Sequence, residues 1–161
     1  IQPVIAVFDI GKTNKKLLVF DEHYQVVFEK TKTFPEVVDE DGFPCEDIEM
    51  LIIWIIQHVQ WLQRSETFLL KAINFSTYGA SLLYIDEQGK RIAPLYNYLK
   101  PYPGDLLMQF QAMYGDDGKL AVETSSPIIG NLNAGLQVYW LKQRRLDLFE
   151  KLGTVLHFPE F

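Results

Sequence analysis

The sequence predicts an α/β domain built around a mixed β-sheet. Three apolar, strand-like runs follow one another between residues 3 and 34. A stripe of apolar residues at helical spacing comes next, and a buried-type strand follows it. A strand that returns after a helix can pair in parallel with an earlier strand through a crossover connection. These observations predict three antiparallel strands, then a helix, then a parallel strand.

The first three strands are predicted from apolar runs and from alternation. Residues 3–9 form an apolar run with β-branched residues that stops at the turn-forming segment 10–14. Residues 15–21 and 25–34 follow, and the second of these runs alternates with the period of two that is typical of a strand. The short connections favour an antiparallel meander.

A long amphipathic helix is predicted over about Glu46 to Arg64, from apolar residues that recur with a period near 3.6. The residues of this stripe are Ile48, Leu51, Ile52, Ile55, Val59 and Leu62. The parallel strand follows at residues 69–76, and residues 82–86 extend the strand pattern. This order of elements is that of an RNase H-like domain.

The second half of the chain is predicted to be mainly helical, with aromatic loops beyond Pro94. The expected elements are helices over about 105–114, 134–143 and 146–152, a Gly/Asp turn at 115–118 and a final strand-like run at 154–158.

Composition describes a soluble globular protein. The 161 residues are 48% hydrophobic, 14% aromatic and 22% charged. The net charge of −6 provides no basic field for nucleic acid or for anionic lipid. Cys45 is the only cysteine, which excludes an internal disulfide framework and agrees with a reducing compartment. We therefore expect a cytoplasmic protein that binds neither nucleic acid nor membranes.

No membrane span and no signal peptide are expected. The longest apolar run, residues 50–56, is too short to cross about 30 Å of hydrocarbon. The first residues carry no positive charge and no small-residue cleavage site. Because the chain lacks an initiator methionine and ends just after a strand-like run, we expect it to be part of a longer protein.

A candidate phosphate-binding loop follows the first strand. Asp9 lies at the strand end, where its carboxylate could hold a hydrated Mg²⁺ through water. A permissive glycine, hydrogen-bond donors and cationic side chains follow it within seven residues: Gly11, Lys12, Thr13, Asn14 and Lys16. The alternative for this segment is an ordinary hairpin turn. A Walker A loop is excluded, because Ala6 stands where that motif needs a glycine and residues 15–21 resemble a strand.

No metal cage is expected from the histidines, which are spread over a turn, a helix and a strand: His23, His58 and His157.

The sequence resembles the FGGY carbohydrate kinases, which belong to the superfamily of sugar kinases, actin and chaperone ATPases. The segment Asp9-Ile-Gly-Lys-Thr-Asn-Lys-Lys16 is similar to the first phosphate motif of that family, which more usually has a hydroxyl residue at the position of Lys12. Residues 73–83 resemble the strand and turn that present sugar-binding side chains. With residues 94–101 and Gly130-Asn-Leu-Asn133, the resemblance covers nearly the whole chain. The first loop and the strand before the sugar turn look most like those of L-fuculokinases.

The resemblance implies an RNase H-like, actin-like ATPase fold and a kinase activity. The full-length protein would transfer a phosphoryl group from ATP, with Mg²⁺, to a hydroxyl of a ketose, deoxyketose or polyol. Asp9 would organise the metal and its water. Residues 1–161 would be the N-terminal part of the sugar-binding domain. The ATP-binding domain and the catalytic base, an aspartate in a downstream Gly-Asp segment, would lie outside this chain, which alone would be inactive.

The resemblance also implies candidate sugar contacts, with Thr77 and Tyr78 at the substrate-facing positions. Three further residues offer the polar groups or aromatic faces that sugars require: Tyr98, Asn131 and Asn133. The alternatives are a core-edge ring for Tyr78, a loop aromatic for Tyr98 and a helix N-cap for Asn133. Where relatives usually have a tryptophan followed by an acidic or amide residue and an arginine, this chain has Tyr98-Leu99-Lys100, so the polar sugar contacts there are changed.

Two other functions compete with a sugar kinase. A noncatalytic sugar-binding relative is favoured by Lys12 and by the altered segment Tyr98-Leu99-Lys100. A metal-dependent nuclease of the same fold class would use Asp9 as a metal carboxylate, but the acidic balance of the chain opposes it. The aromatic content is compatible with a homodimer.

Overall fold

A computed structural model describes all 161 residues, which form two compact units. The first unit consists of residues 1–37 and 46–78, and the second of residues 38–45 and 79–161. No helix of the protein combines the length and the apolar character that a bilayer crossing needs.

The first unit is a mixed sheet with a helix on one face. Its elements are β1 Gln2–Ile10, β2 Lys15–Phe20, β3 Val26–Lys32, α1 Ile48–Gln63 and β6 Phe68–Thr77. Between β3 and α1 the chain forms two short strands, β4 Val37–Val38 and β5 Pro44–Cys45, of which β5 belongs to the second unit. The main sheet has the order β3-β2-β1-β6, in which the first three strands are antiparallel and β6 is parallel to β1. The predicted RNase H-like order of strands and helix is confirmed.

Alternation along β1 decides which face of the sheet is buried. Ala6, Phe8 and Ile10 are fully buried, whereas Asp9 between them is half-buried. The Phe8 ring meets Trp54 of α1 edge-on at 5.6 Å and stacks on Phe75 at 5.5 Å. Since successive side chains of a strand point to opposite faces, Asp9 lies on the face opposite α1.

The second unit combines a two-stranded sheet with helices. Its elements are α2 Gly104–Tyr114, α3 Asp117–Thr124, α4 Ala134–Arg144, α5 Leu146–Phe149, and the antiparallel strands β7 Leu82–Ile85 and β8 Thr154–His157. Its apolar core consists of buried residues from β7, the following loop, α4 and α5: Leu82, Tyr84, Ala93, Tyr96, Leu141 and Leu148.

Four elements differ from the sequence prediction. Helix α3 begins inside the predicted Gly/Asp turn, because the Asp116 side chain accepts the Lys119 amide at 3.0 Å and caps the helix. Helix α5 ends at Phe149 rather than near residue 152. The strands β4 and β5 were not predicted, because at two residues each they are too short to show a period.

Candidate functional site

The predicted phosphate loop is the tight turn between β1 and β2. The Gly11 amide donates to the Asn14 carbonyl oxygen at 2.9 Å. A Cβ atom at Gly11 would lie 2.9 Å from that same oxygen, which is closer than such atoms approach, so this turn requires glycine. Thr13 and Asn14 are exposed at the turn. The turn therefore presents side-chain donors to solvent, while the Gly11 amide serves the turn itself.

Asp9 and Lys16 lie on either side of this turn. They are cross-strand neighbours of β1 and β2, and Ser76 of β6 lies next to Asp9 in the parallel register. Residues that face each other across strands point to the same side of the sheet, so the carboxylate and the ammonium share the face opposite α1. Both are half-buried. This end of the sheet offers one group for a cation and one for an anion.

The second basic candidate, Lys12, is already engaged. Its ammonium forms an ion pair with Glu36 at 2.5 Å. A charge that is balanced by a neighbouring carboxylate has less attraction for a phosphate. Within the first unit, Lys16 is therefore the better placed of the two lysines for an anion beside Asp9.

Asp9 is the candidate carboxylate for a divalent cation at this end of the sheet. No group of three His, Cys, Asp or Glu residues that could hold a metal ion exists in the chain. Mg²⁺ typically keeps several waters and is bound through one or two carboxylates together with substrate phosphates. A single carboxylate such as that of Asp9 fits, by its chemistry, a hydrated Mg²⁺ that is bound together with substrate phosphates.

The predicted sugar-facing residues Thr77 and Tyr78 follow β6, and both use their hydroxyls within the first unit. The Thr77 hydroxyl donates to the Tyr78 carbonyl oxygen at 3.1 Å. The Tyr78 hydroxyl donates to Glu46 Oε2 at 3.1 Å. A phenol that donates its proton keeps lone pairs with which it can accept another hydrogen bond. Tyr78 is thus fixed as an acceptor for any further partner.

A buried ion pair lies next to Tyr78, and the sequence did not predict it. Lys15, at the start of β2, is 2% exposed and Glu46 is 7% exposed. The Lys15 ammonium lies 2.7 Å from Glu46 Oε2 and 3.1 Å from the Lys12 carbonyl oxygen. Glu46 directly precedes Asp47, whose side chain caps α1. Such a pair has no local signature, because its partners are far apart in the sequence.

The second unit contains a cavity of about 220 Å³ with a mixed lining. Aromatic rings and polar side chains both face it, and they include Tyr96, Asn97, Lys100, Asn131, Gln137 and Trp140. The Gln137 amide nitrogen donates to the carbonyl oxygens of Ala80 and Asn131, and its buried Oε1 has no hydrogen-bond partner. Aromatic faces combined with amides are the lining that a sugar-sized ligand requires.

An acidic segment neutralises the lysine of this cavity. The Lys100 ammonium lies 2.6 Å from both Asp39 and Asp41. Burial alone would raise the pKa of the Asp39 carboxyl, but hydrogen bonds from Lys100 and from two backbone amides hold that pKa below its ordinary value. Burial alone would lower the pKa of Lys100, and its two aspartate partners instead raise it. The cavity is therefore lined by a paired lysine and carries no uncompensated cation.

The remaining predicted sugar contacts have different positions in the second unit. Asn131 lines the cavity, and its amide donates to the Lys100 carbonyl oxygen at 2.7 Å. Asn133 occupies the N-cap position of α4, but its side chain does not cap that helix. It instead accepts the Ile129 amide at 2.5 Å and donates to the Pro127 carbonyl oxygen at 2.9 Å, so it braces the preceding loop. Tyr98 is half-buried and does not line the cavity.

Solved structures of other proteins share this fold. No protein-family model matches the sequence, and no curated protein matches it. Gluconate kinase from Lactobacillus acidophilus matches 98% of the chain with a TM-score of 0.77 and 18% identity. Ligand-bound xylulose kinase from the same organism matches 95% of the chain with a TM-score of 0.76 and 19% identity. Plasmodium falciparum glycerol kinase with ADP matches 93% of the chain with a TM-score of 0.74 and 18% identity.

The chain has a carbohydrate kinase fold. The similarity to FGGY-type kinases predicted from the sequence is confirmed at the level of the fold. The chain spans about a third of the length of these structures, with 32%, 31% and 30% of the gluconate, xylulose and glycerol kinase chains matched. The three kinases are named for three different acceptors, so L-fuculose remains a prediction for this chain.

Within the carbohydrate kinase fold, the structure adds residues that the sequence did not single out. They are the buried pair Lys15 and Glu46 in the first unit, and Tyr96, Asn97, Gln137 and Trp140 around the cavity of the second. The sequence contained one signal for this cavity: Lys100 belongs to the changed segment Tyr98-Leu99-Lys100, and Asn97 directly precedes that segment.

Proposed function

We propose that the chain is the N-terminal part of a cytoplasmic FGGY-type carbohydrate kinase, whose full-length form phosphorylates a sugar hydroxyl with MgATP. The acceptor class is a ketose, a deoxyketose or a polyol. The observation that carries the proposal is the arrangement of Asp9, the tight turn of residues 11–14 and Lys16 at one end of the sheet. Phosphoryl transfer depends on positioning and charge neutralisation, and this arrangement supplies fixed groups of both signs.

The placement of the residues supports the following proposed roles. Lys16 and the exposed side chains of Thr13 and Asn14 would bind phosphate oxygens, and Asp9 would hold the water shell of Mg²⁺. Bound with the nucleotide, Mg²⁺ supplies neutralisation of phosphate charge. Tyr78, as a hydrogen-bond acceptor, would receive a sugar hydroxyl. In the second unit, the cavity that Asn131 lines is a further candidate for sugar contact. The general base would come from the part of the protein beyond residue 161.

Exposed apolar surface in the first unit supports the proposal that the chain belongs to a longer protein. Ile53 and Ile56 of α1 are 54% and 49% exposed, and Phe75 of the edge strand β6 is 47% exposed. Exposed edge strands are normally blunted or covered, and larger exposed apolar patches mark interaction surfaces. The similar kinases are about three times as long as this chain, and we assign the covering role to the remainder of the polypeptide.

A noncatalytic sugar-binding relative is the second candidate. The observation that favours it is the state of the loop, in which Lys12 is paired with Glu36 and the Gly11 amide is used by Asn14. Such a loop has fewer groups left for a triphosphate than a loop with open amides and an unpaired lysine.

The deciding experiment is a phosphorylation assay on the full-length protein. ADP release would be measured against a panel of ketoses, deoxyketoses and polyols, each with MgATP, and sugar binding would be measured in parallel by calorimetry. Sugar-dependent ADP release supports the kinase. Sugar binding without ADP release supports the noncatalytic relative, and Mg²⁺-dependent cleavage of nucleic acid without sugar binding would contradict both.

A further inference from the structure

The buried ion pair in the first unit has no role in the proposed chemistry, yet it occupies a position that favours an apolar side chain. Lys15, Leu17 and Val19 are the buried residues of β2, on the face that α1 covers. An ammonium group loses its hydration there and must be compensated by a carboxylate and by hydrogen bonds. Two apolar residues of similar size would fill the same space without that cost, so stability alone does not explain the pair.

The contacts of the pair join two segments that the proposed function uses. The Lys15 ammonium donates to the Lys12 carbonyl oxygen at 3.1 Å, inside the loop, and to Glu46 Oε2 at 2.7 Å. The same Glu46 oxygen accepts the Tyr78 hydroxyl at 3.1 Å. One carboxylate oxygen therefore connects the loop after β1 with the residue after β6.

We propose that Glu46 is a positioning residue that holds the phosphate loop and the sugar-facing Tyr78 in one fixed arrangement. Through Lys15 it fixes the carbonyl at Lys12, and through its own oxygen it takes the Tyr78 proton, which leaves the phenol as an acceptor for a sugar hydroxyl. This inference rests on the proposed function. It adds to it a physical link between the group that binds phosphate and a group that binds sugar, both within the first unit.

The test compares two double variants of the full-length protein in which no charge is left buried. Lys15→Met with Glu46→Gln removes the link to the loop but keeps an acceptor for the Tyr78 hydroxyl. Lys15→Met with Glu46→Leu removes both. We expect the KM for MgATP to rise about fivefold in both variants, and the KM for sugar to rise about fivefold only in the Leu variant, the size of one lost hydrogen bond. The exposed pair Arg144→Gln with Asp105→Asn is the control and should leave both KM values unchanged.

Tyr78→Phe completes a double-mutant cycle with the Leu variant. If Glu46 orients the hydroxyl, Tyr78→Phe raises the sugar KM in the wild type and adds little in the Leu variant, because there the hydroxyl is no longer held. Equal effects of Tyr78→Phe in the two backgrounds would overturn the inference, since the hydroxyl would then act without Glu46. Wild-type KM values in both double variants would overturn it as well.

Amide hydrogen exchange separates this inference from the proposed function. In both double variants, the Gly11 amide should exchange faster, because the neighbouring Lys12 carbonyl has lost its ammonium partner. The amides after β6 should exchange faster only in the Leu variant. This measurement needs no turnover. Absence of kinase activity in the wild type would contradict the proposed function, but the exchange data would still test whether Glu46 links the loop to Tyr78. Unchanged exchange in both variants would contradict that link.

Discussion

Asp9 and Lys16 are direct cross-strand partners on β1 and β2, on the face of the sheet opposite α1. The turn of residues 11–14 joins these two strands, so the carboxylate, the turn and the ammonium form one continuous feature. The fold keeps this feature out of the apolar core, because the neighbours of Asp9 in β1 are the residues that point towards α1. Changes at Asp9 should therefore affect chemistry more than folding.

Replacement of Asp9 by Asn in the full-length protein should lower kcat by about 10²- to 10³-fold, because it removes the charge that would organise the hydrated cation. The thermal midpoint should change little, since the side chain is half-buried and outside the core. Glu29→Gln is the matched control, because Glu29 is an exposed carboxylate on the same face of the sheet as Asp9. The strand register shows this shared face, since Glu29 of β3 pairs with Leu18 of β2, which pairs with Val7, two residues before Asp9 in β1. Normal turnover in the Asp9 variant would reject the assigned role.

Replacement of Gly11 by Ala should distort the phosphate loop. The added Cβ would lie 2.9 Å from the Asn14 carbonyl oxygen, so the turn must open. We expect the KM for MgATP to rise about tenfold or more while the KM for sugar stays near its wild-type value, because small misplacements of positioning groups are costly. Gly135→Ala is the control, since a Cβ there meets no atom within 4 Å. An equal rise of both KM values would show that the turn does not act on the nucleotide alone.

The parts of the fold that the sequence predicted are those with a clear local pattern, either an apolar run or a period. β1, β2 and β6 are apolar runs, β3 alternates and α1 has helical spacing, and all five elements were confirmed. Helix α3 was missed because Gly115 and Gly118 indicate a turn, although Asp116 was a visible N-cap candidate. The pairing of β7 with β8 was also not predicted, since their partners are far apart in the sequence and no period encodes pairing.

For the candidate site, the resemblance predicted residue positions but not their hydrogen-bond partners. The placement of Asp9 at the end of β1 beside a tight turn follows from the strand pattern. The engagement of Tyr78 by Glu46 and of Lys12 by Glu36 does not, because each contact joins residues from different elements. A buried lysine such as Lys15 is opposed by its own local pattern, which favours an apolar side chain.

Replacement of Lys15 by Met alone should destabilise the first unit by about 3–5 kcal/mol, the usual cost of leaving one partner of a buried pair as an uncompensated charge. The remaining charge is that of Glu46, which is 7% exposed. Adding Glu46→Leu should restore most of the lost stability, because two apolar residues then fill the site. Urea titration of the single and double variants measures this difference. A single variant as stable as the double one would show that Glu46 is readily solvated.

The ion pair between Asp39 and Lys100 should make the stability of the second unit depend on pH at both extremes. The pKa of Asp39 is lowered in the folded protein, so its contribution is present above the ordinary carboxylate pKa of about 4 and is lost as the pH falls through the lowered value. The pKa of Lys100 is raised, so its contribution is present below about pH 10 and is lost as the pH rises through the raised value.

Replacement of Asp39 by Asn should lower stability across the plateau between these limits and flatten the loss of stability on the acid side, because the titrating carboxylate is gone. Urea titrations at pH 7 and at pH 3 measure both effects. Asp105→Asn is the control, because Asp105 pairs with Arg144 at an exposed position and contributes little to stability. If the Asp39 variant lost as much stability between pH 7 and pH 3 as the wild type, the acid sensitivity would arise from other carboxylates.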